Sequence, residues 1–185
     1  KKDINKIKII INIITQIAQA LKFIHDNGFI HFDIKLENVI LLNYNKKPDP
    51  DSVKVRLIDF DSLKTTSEVQ SNPSDFGTLG YKAPEVRKPK KNSQTKKLDI
   101  FSFGILILYL ISDKKNLGVV KTNFVDQYTS LTGLFGFVRA FEVNKDQPTN
   151  LYDSLFNLFK NCVQEDPDKR PDVSEILTQL TTYTT

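Results

Sequence analysis

Apolar side chains recur three or four positions apart between about residues 4 and 27, with Lys, Asn and Gln side chains on the wetter side. This spacing predicts an amphipathic helix that turns one face to the core. Gly28 follows, and a glycine at this point supplies the left-handed cap that ends many helices. The helix therefore delivers the chain into a short apolar stretch. Its apolar positions are Ile7, Ile10, Ile11, Ile14, Ile17, Ala18, Leu21 and Ile24.

Two short apolar runs further along predict a β-hairpin. Residues 39–42 are continuously apolar, and residues 53–58 alternate between apolar and polar, as half-buried strands do. The polar segment 43–52, which contains two prolines, is expected to be the loop between them. Residues 62–76 are rich in Ser, Thr, Asn and Pro without any periodicity, and they predict a second, mobile loop.

Three later segments predict helices. Residues 98–111 are apolar all round, as a central buried helix is. The longest apolar run, 103–111, has only about half the length that a bilayer requires, so no membrane-spanning segment is expected. Residues 151–163 are amphipathic, and 172–180 form the last predicted helix. The pattern predicts a mainly α fold with a small β-hairpin, in one domain that covers residues 1–185.

The composition fits a soluble globular protein, with 26% charged and 39% apolar residues. The net charge of +4 comes mostly from scattered lysines, so no nucleic-acid partner is expected. No membrane partner and no signal peptide are expected either. The single cysteine, Cys162, excludes an internal disulfide and favours a reducing, cytoplasmic location. It lies in an apolar helical stretch, where we expect a buried, inert thiol.

The stretch from His31 to Asn38 carries residues that suit phosphoryl transfer. Asp33 lies five residues before Asn38 and two before Lys35. At this spacing a carboxylate can receive a hydroxyl proton, an amide oxygen can hold a metal ion and a lysine can neutralise a transferring phosphate. Asp59, directly after the second predicted strand, offers another carboxylate for metal. Because the hairpin joins the two loops, we expect Asp33, Asn38 and Asp59 to face one cleft.

Five motifs in a fixed order extend this picture over essentially the whole chain. They are His31 to Asn38, Asp59-Phe60-Asp61, Ala83-Pro84-Glu85, Asp99 to Gly104, and Arg170 before Pro171. In this order they resemble the C-terminal lobe of a eukaryotic-type protein kinase of the serine/threonine type. No glycine-rich loop and no strand lysine precedes them in these 185 residues, so we expect the C-lobe only, cut from a longer protein.

The resemblance implies a protein-kinase-like fold, ATP and Mg²⁺ as cofactors, a protein substrate and the missing N-terminal kinase lobe as a partner. Asp33 would be the catalytic base, and Lys35 would pair with the transferring phosphoryl group. Asn38 and Asp59 would hold Mg²⁺ and, through it, the nucleotide phosphates. Ile40 would form the floor beneath the adenine ring. Simpler roles stay open: a surface charge for Lys35, a turn-stabilising amide for Asn38 and plain core for Ile40.

The same resemblance assigns residues to the protein substrate and to the frame of the site. Glu37 and Thr78 would contact the substrate, and Thr78 would also hydrogen-bond beside Asp33, which favours serine/threonine specificity. Glu85 and Arg170 are expected to form a buried ion pair that ties the substrate-binding segment to the last helix.

Two residues depart from the family pattern. Phe32 stands where many kinases have an arginine that meets an activation-loop phosphate, so phosphorylation of that loop is not expected to be the main switch. Asp61 stands where the family has glycine, whose backbone angles Asp reaches less easily, and this puts full activity in question. His31 is expected to pack on Phe60. Asp99 is expected to anchor the backbone of the Asp33 loop, or to cap its own helix.

Two other classes of function stay open. One is a pseudokinase that acts as a binding scaffold, which the two departures and the missing lobe favour and the retained polar residues oppose. The other is a small-molecule kinase of the same fold, since aminoglycoside and choline kinases share a similar spacing from Asp to Asn. Such enzymes do not usually carry a segment like Ala83-Pro84-Glu85 with a partner such as Arg170.

Overall fold

The computed structural model describes residues 2–42, 49–65, 67–68, 77–87, 96–112 and 149–183. In these ranges the helices are α1 (Lys2–Asp26), α2 (Pro84–Arg87), α3 (Lys96–Ile111), α4 (Thr149–Cys162) and α5 (Val173–Thr181). The strands are β1 (Phe29–Ile30), β2 (Val39–Leu42), β3 (Lys54–Leu57) and β4 (Lys64–Thr65). Short 3₁₀ turns span Leu36–Asn38, Phe60–Ser62 and Pro167–Lys169.

Helix α1 forms where the isoleucine spacing predicts it. Its apolar face is buried, with Ile14 and Leu21 fully inaccessible to solvent. The helix ends at Asp26, and Gly28 follows in the turn, with a φ of 81° and an N–H that donates to the His25 carbonyl over 3.1 Å. A left-handed φ of this kind favours glycine, so the predicted helix stop is confirmed.

Residues Ile4–Asp26 of α1 are long and apolar enough to cross a membrane by length and composition. The expectation of no membrane-spanning segment rested on the longest uninterrupted apolar run, and this longer helix shows that the length argument alone does not support it. Half of this stretch is buried within the protein, where α1 packs on α3, α5 and β3. Such burial is typical of the core helix of a globular domain.

Helix α3 is the centre of the described core. It is buried all round, as its uniformly apolar sequence predicts. Gly104 allows it to approach α4 closely, because a Cβ at this position would lie 2.7 Å from Cys162 Cβ. Cys162 itself is buried and unpaired, and burial raises the pKa of its thiol to about 12. The predicted inert thiol is in agreement with this environment.

The strands form two antiparallel pairs rather than the single predicted hairpin. Strands β2 and β3 pair with Val39 opposite Leu57, as the hairpin prediction requires. Strands β1 and β4 form a second pair, with Phe29 opposite Thr65. Strand β4 lies inside segment 62–76, which was expected to be a loop throughout, and the prediction is wrong there. Residues 43–48, 66 and 69–76 of the two predicted loops lie outside the described residues.

Helix α5 begins with a reciprocal cap. Asp172 Oδ1 accepts the backbone N–H of Glu175 over 2.9 Å, and the Glu175 carboxylate accepts the N–H of Asp172 over 2.7 Å. This capping box satisfies two helix-terminal donors and fixes where the helix starts. Helix α5 then packs on α1.

Candidate active site

The loop between β1 and β2 holds Asp33 in a compact polar triangle. Thr78 Oγ1 donates to Asp33 Oδ1 over 2.6 Å, and Lys35 Nζ donates to Asp33 Oδ2 over 2.5 Å. Lys35 Nζ also donates to Thr78 Oγ1 over 2.8 Å. The predicted contact of Thr78 with Asp33 and Lys35 is thus present. These three side chains come from two segments more than 40 positions apart, so the fold, and not local sequence, assembles them.

The surroundings of Asp33 favour its charged form. Burial by itself raises the pKa of this carboxyl, but hydrogen bonds from Lys35, Thr78 and Asn38 and the charge of Lys35 outweigh it. The net pKa of Asp33 lies below its usual value. At neutral pH the group is a carboxylate, which is the form that accepts a proton.

Asn38 is buried at the end of a 3₁₀ turn and is oriented by Asp33. Its Nδ2 donates to the Asp33 carbonyl over 2.8 Å and to Asp33 Oδ2 over 3.1 Å. The amide therefore stabilises the turn, as the simpler interpretation holds. Both contacts use the nitrogen, and Asn38 Oδ1 accepts no hydrogen bond in the part of the chain that is described. That oxygen is left as an acceptor, so the structural role does not exclude a role as a metal ligand.

Asp59 follows β3 and is placed beside Asn38 through the backbone. The N–H of Ile58 donates to the Asn38 carbonyl over 3.0 Å, which brings the two loops together. Asp59 has a left-handed φ of 67° and is exposed. Among the described residues no hydrogen bond joins its carboxylate to Asp33 or Asn38. Convergence of all three polar groups on one cleft is therefore supported for the backbone and stays a prediction for the Asp59 side chain.

The side-chain oxygens of Asn38 and Asp59 suit Mg²⁺, which phosphates and water also coordinate, better than a metal ion bound by protein ligands alone. Mg²⁺ takes oxygen ligands, usually one or two from protein, and shares the rest with phosphates and water. Within the described ranges no group of three or more His, Cys, Asp or Glu side chains could hold a metal by itself. One amide oxygen and one exposed carboxylate on adjacent loops match the shared mode of binding.

The backbone that precedes Asp33 is hydrogen-bonded to a side chain of helix α3. Asp99 accepts the N–H of His31 through Oδ2 and the N–H of Phe32 through Oδ1, both over 2.8 Å. Helix α3 begins at Lys96, so Asp99 lies within its first turn and the anchoring role is confirmed over the N-cap. Phe32 adopts a φ of 68°, which is unusual for a bulky residue, and the two charge-assisted bonds help to hold it there.

His31 links the two loops of the site. Its ring lies 5.5 Å from the Phe60 ring, as expected. His31 Nδ1 accepts the N–H of Asp33 over 3.3 Å, and Nε2 lies 3.2 Å from the Ile58 carbonyl. A proton on Nε2 satisfies both contacts. His31 is therefore architectural in this structure.

The concern that Asp61 strains the backbone is not supported. In this turn the left-handed φ belongs to Asp59, whereas Asp61 has no positive φ and lies in the 3₁₀ turn Phe60–Ser62. The glycine that the family has at this position is not required by the backbone described here. The unusual backbone conformation was expected at Asp61 and is found at Asp59.

The segment that carries Thr78 is fitted closely to the Asp33 loop. Gly77 has a φ of 86°, and a Cβ there would lie 2.8 Å from the Phe32 carbonyl oxygen. The Tyr81 hydroxyl accepts the N–H of Leu36 over 3.4 Å. Ser102 Oγ donates to the Tyr81 carbonyl over 2.8 Å, which ties the segment to α3 as well. Thr78 therefore reaches Asp33 from a backbone that is held on two sides.

Glu85 and Arg170 form the predicted ion pair. Arg170 Nη1 and Nη2 donate to Glu85 Oε1 and Oε2 over 2.5 and 2.7 Å. The Arg170 side chain is fully buried, and its guanidinium lies 5.0 Å from the centre of the Phe101 ring. Nε and Nη1 also donate to the carbonyls of Gln164 and Lys97. The pair connects helix α2, which follows the Thr78 segment, to the turn before helix α5.

Ile40 and Glu37 lie at the surface. Ile40, in β2, is 42% exposed, and its neighbour Leu41 is 38% exposed. Plain core is therefore the wrong interpretation of Ile40, and an open apolar surface beside Asn38 is what the adenine-floor hypothesis requires. Glu37 is exposed in the turn that carries Asn38. No described contact tests its assignment to the protein substrate.

Sequence reasoning missed the polar contacts that helix residues make behind the site. His25 Nε2 lies 2.9 Å from Asp99 Oδ2 in the buried interior, so this carboxylate serves both α1 and the Asp33 loop. Ser102 was regarded only as part of an apolar helix. The sequence did carry a sign of this contact, because Ser102 is a polar residue within an otherwise apolar helix. A buried hydroxyl needs a hydrogen-bond partner.

Comparison with known proteins agrees with this geometry. The family model described as protein kinase domain matches residues 1–180, and the chain therefore belongs to the protein kinase family. R436 of Acanthamoeba polyphaga mimivirus, whose name places it among serine/threonine-protein kinases, is 30% identical over 99% of this chain and 60% of its own length. The Arabidopsis thaliana serine/threonine/tyrosine-protein kinase HT1 is 28% identical over 96% of this chain and 40% of its own length.

The Raf homolog serine/threonine-protein kinase of Caenorhabditis elegans is 29% identical over 92% of this chain. The chain covers 20% of that protein, so it spans between 20% and 60% of the length of these three relatives. The protein-kinase-like fold, mainly helical with small sheets, follows from the family match.

Proposed function

We propose that this chain is the C-terminal lobe of a serine/threonine protein kinase, which transfers the γ-phosphate of ATP to a protein hydroxyl. The N-terminal lobe would come from polypeptide outside these 185 residues. The observation that carries the proposal is the triangle of Asp33, Lys35 and Thr78 with Asn38 behind it. A proton acceptor and a cation in direct contact, with an amide side chain beside them whose oxygen could hold a metal ion, suit phosphoryl transfer.

In this mechanism Asp33 orients the substrate hydroxyl and accepts its proton. The carboxylate is ionised at neutral pH, and Oδ1, which accepts only from Thr78, retains a lone pair for the substrate hydroxyl. Because the pKa of Asp33 is lowered, its carboxylate is a weak base and serves mainly to position the substrate hydroxyl. It accepts the hydroxyl proton late in the transfer, when that proton has become more acidic. Lys35, already fixed between Asp33 and Thr78, neutralises charge on the transferring group.

Asn38 Oδ1 and the Asp59 carboxylate would hold Mg²⁺, which when bound neutralises phosphate charge and orients the nucleotide. Ile40 would support the adenine ring from below. Glu37 and Thr78 would contact the protein substrate, and Lys35 two residues after Asp33 favours serine and threonine hydroxyls over tyrosine by resemblance. The buried and unpaired Cys162 supports a reducing, cytoplasmic setting. The proposal includes no nucleic-acid or membrane partner.

One other function is favoured by a specific observation. Phe32 occupies a buried position with a left-handed backbone where many kinases have arginine, and it supports a pseudokinase scaffold without turnover. The intact triangle around Asp33 supports the enzyme instead, since a scaffold does not need a held proton acceptor. The buried pair of Glu85 and Arg170 supports a protein substrate over a small molecule.

The experiment that tests the proposed function is phosphotransfer by the full-length protein that contains this chain. The substrates are radiolabelled ATP and three matched peptides, which carry Ser, Thr or Tyr at the acceptor position. Asp33→Asn keeps the shape of the side chain and removes the proton acceptor, so activity should fall by about 10²–10⁴-fold with unchanged circular dichroism. Asp153→Asn, at an exposed site on α4, is the matched control. Undiminished activity of Asp33→Asn would reject the mechanism.

A further inference from the structure

Arg56 lies directly across the strand pair from Ile40. In the β2–β3 register, Ile40 is opposite Arg56 and Leu42 is opposite Lys54. Residues that face each other in an antiparallel pair project from the same side of the sheet, with Cβ atoms about 4.5–5.5 Å apart. One face of this hairpin therefore carries an apolar strand, Ile40 and Leu42, beside a cationic strand, Arg56 and Lys54.

This face is open and begins at the candidate site. Ile40 is 42% exposed, Arg56 is exposed, and Ile40 lies two residues after the buried Asn38. Across the described part of the chain, the Arg56 side chain forms no hydrogen bond and no ion pair. Its guanidinium has five donors in a plane and is free to meet a ligand that rests on Ile40.

We propose that Arg56 is a nucleoside-contacting residue, which binds the purine that lies on Ile40 through its planar guanidinium. This inference rests on the proposed function, because it takes the Ile40 surface to be the adenine floor. An aromatic ring that lies on Ile40 would place its face within the range of about 6 Å over which a guanidinium attracts a π-system. The same group can donate to ring nitrogens, which are hydrogen-bond acceptors.

The charge pattern of the face favours a nucleoside over an apolar protein segment. A purely apolar occupant would leave the Arg56 guanidinium to be desolvated without a partner, which is costly. A purine offers an apolar plate for Ile40 and both a π-face and acceptors for Arg56. Lys54 lies two residue pairs further along the hairpin, opposite Leu42, and so provides a cation of the same face that should not reach the ring.

The test uses steady-state kinetics of the full-length protein with Arg56→Ala, Arg56→Lys and Lys54→Ala. In Arg56→Ala the KM for ATP should rise about 3- to 30-fold, which corresponds to a cation–π contact, while kcat and the peptide KM stay within about twofold. Arg56→Lys should fall between Arg56→Ala and the parent. Lys54→Ala should match the parent. Circular dichroism and thermal unfolding check that these exposed substitutions leave the fold intact.

Adenosine, used as a competitive inhibitor, separates the nucleoside from the phosphates. Its Ki should rise in Arg56→Ala by the same factor as the KM for ATP. A raised KM with an unchanged adenosine Ki would overturn the proposal and assign Arg56 to phosphate attraction. An equal rise in Lys54→Ala would overturn it in favour of a general positive field, and an unchanged KM in Arg56→Ala would overturn it outright.

Calorimetric binding of ATP distinguishes failure of this inference from failure of the proposed function. If no turnover that depends on Asp33 is found, the kinase proposal fails, and weaker ATP binding by Arg56→Ala alone would still support the Arg56 contact. If turnover depends on Asp33 while Arg56→Ala binds ATP as the parent does, the kinase proposal stands and the Arg56 contact is refuted.

Discussion

Arg170 donates to both carboxylate oxygens of Glu85, a residue 85 positions earlier in the chain. The arginine side chain is fully buried from water. Two parallel hydrogen bonds of this kind fix direction as well as distance. Three further donations to backbone carbonyls complete the surroundings of the guanidinium. The helix that follows the Thr78 segment is thereby joined to the C-terminal part of the fold by one fully partnered cation.

Removing one partner of this pair should therefore be costly. Glu85→Ala leaves the buried Arg170 charge without its carboxylate and is expected to lower the free energy of unfolding by about 3–5 kcal/mol. Denaturant unfolding measures this difference. Glu165→Ala is the control, since that side chain is exposed and its backbone carbonyl is retained. A Glu85→Ala protein as stable as the parent would contradict the assignment.

Gly77→Ala should impair the site more than Gly80→Ala. Both glycines have a left-handed φ, 86° and 93°, so both substitutions carry the conformational cost of about 1–2 kcal/mol. Only at Gly77 would the new Cβ meet the Phe32 carbonyl, at 2.8 Å, whereas at Gly80 nothing lies within 4 Å. Unfolding free energies and phosphotransfer rates compare the two variants. Equal losses would show that the close approach of the two loops does not matter.

Thr78→Val should reduce phosphotransfer, and Thr78→Ser should preserve it. Valine keeps the shape but removes the donor to Asp33 and the acceptor for Lys35. Hydrogen bonds to charged groups contribute about 1.5–3 kcal/mol, which corresponds to about a 10- to 100-fold loss in kcat/KM. Serine retains the hydroxyl. If both variants lose activity equally, packing of the threonine methyl group and not its hydroxyl is what matters.

Cys162 should report on unfolding of the whole core. With its pKa raised to about 12, about one thiol in ten thousand is ionised at pH 8, and the side chain is buried. The pKa returns to its usual value in the unfolded chain, so thiolate-specific labelling should be slow in buffer and fast in denaturant. Rapid labelling of the native protein at pH 8 would contradict the packing of α3 on α4.

Residues 1–185 alone should transfer no phosphate at a useful rate. A protein kinase needs a lysine and a glycine-rich cover over the nucleotide phosphates, and these residues do not include either motif. The open surface at Ile40 also covers only one side of a purine. Titration with magnesium-ATP, followed by calorimetry and peptide phosphorylation, tests this. Micromolar binding with turnover would contradict it, and turnover restored by adding the N-terminal lobe would support it.

The sequence predicted those parts of the fold that depend on local pattern. Isoleucine spacing located α1, and Gly28 located its end. Strands β1 and β4 were missed because two residues are too few to show an alternating pattern. Asp61 was misjudged because a motif gives the residue expected at a position and not the backbone angles that its neighbours impose.

The candidate site was predictable to the extent that motif order implied it. Asp33, Lys35, Asn38 and Thr78 lie together as expected, and so do the long-range pairs of the frame. The contact of His25 with Asp99 could not be predicted, since it joins residues 74 positions apart with no motif that links them. The Asp59 side chain is exposed, and its place beside Asp33 and Asn38 stays a prediction.

Helix α3 carries several parts of the site on neighbouring turns. Asp99 suspends the Asp33 loop, Phe101 supports the guanidinium of Arg170, and Ser102 holds the Thr78 segment. Local opening of any one part is opposed by a helix that is itself among the most deeply buried in the fold. The arrangement around Asp33 should therefore persist on warming and be lost only in the same cooperative step that melts the core.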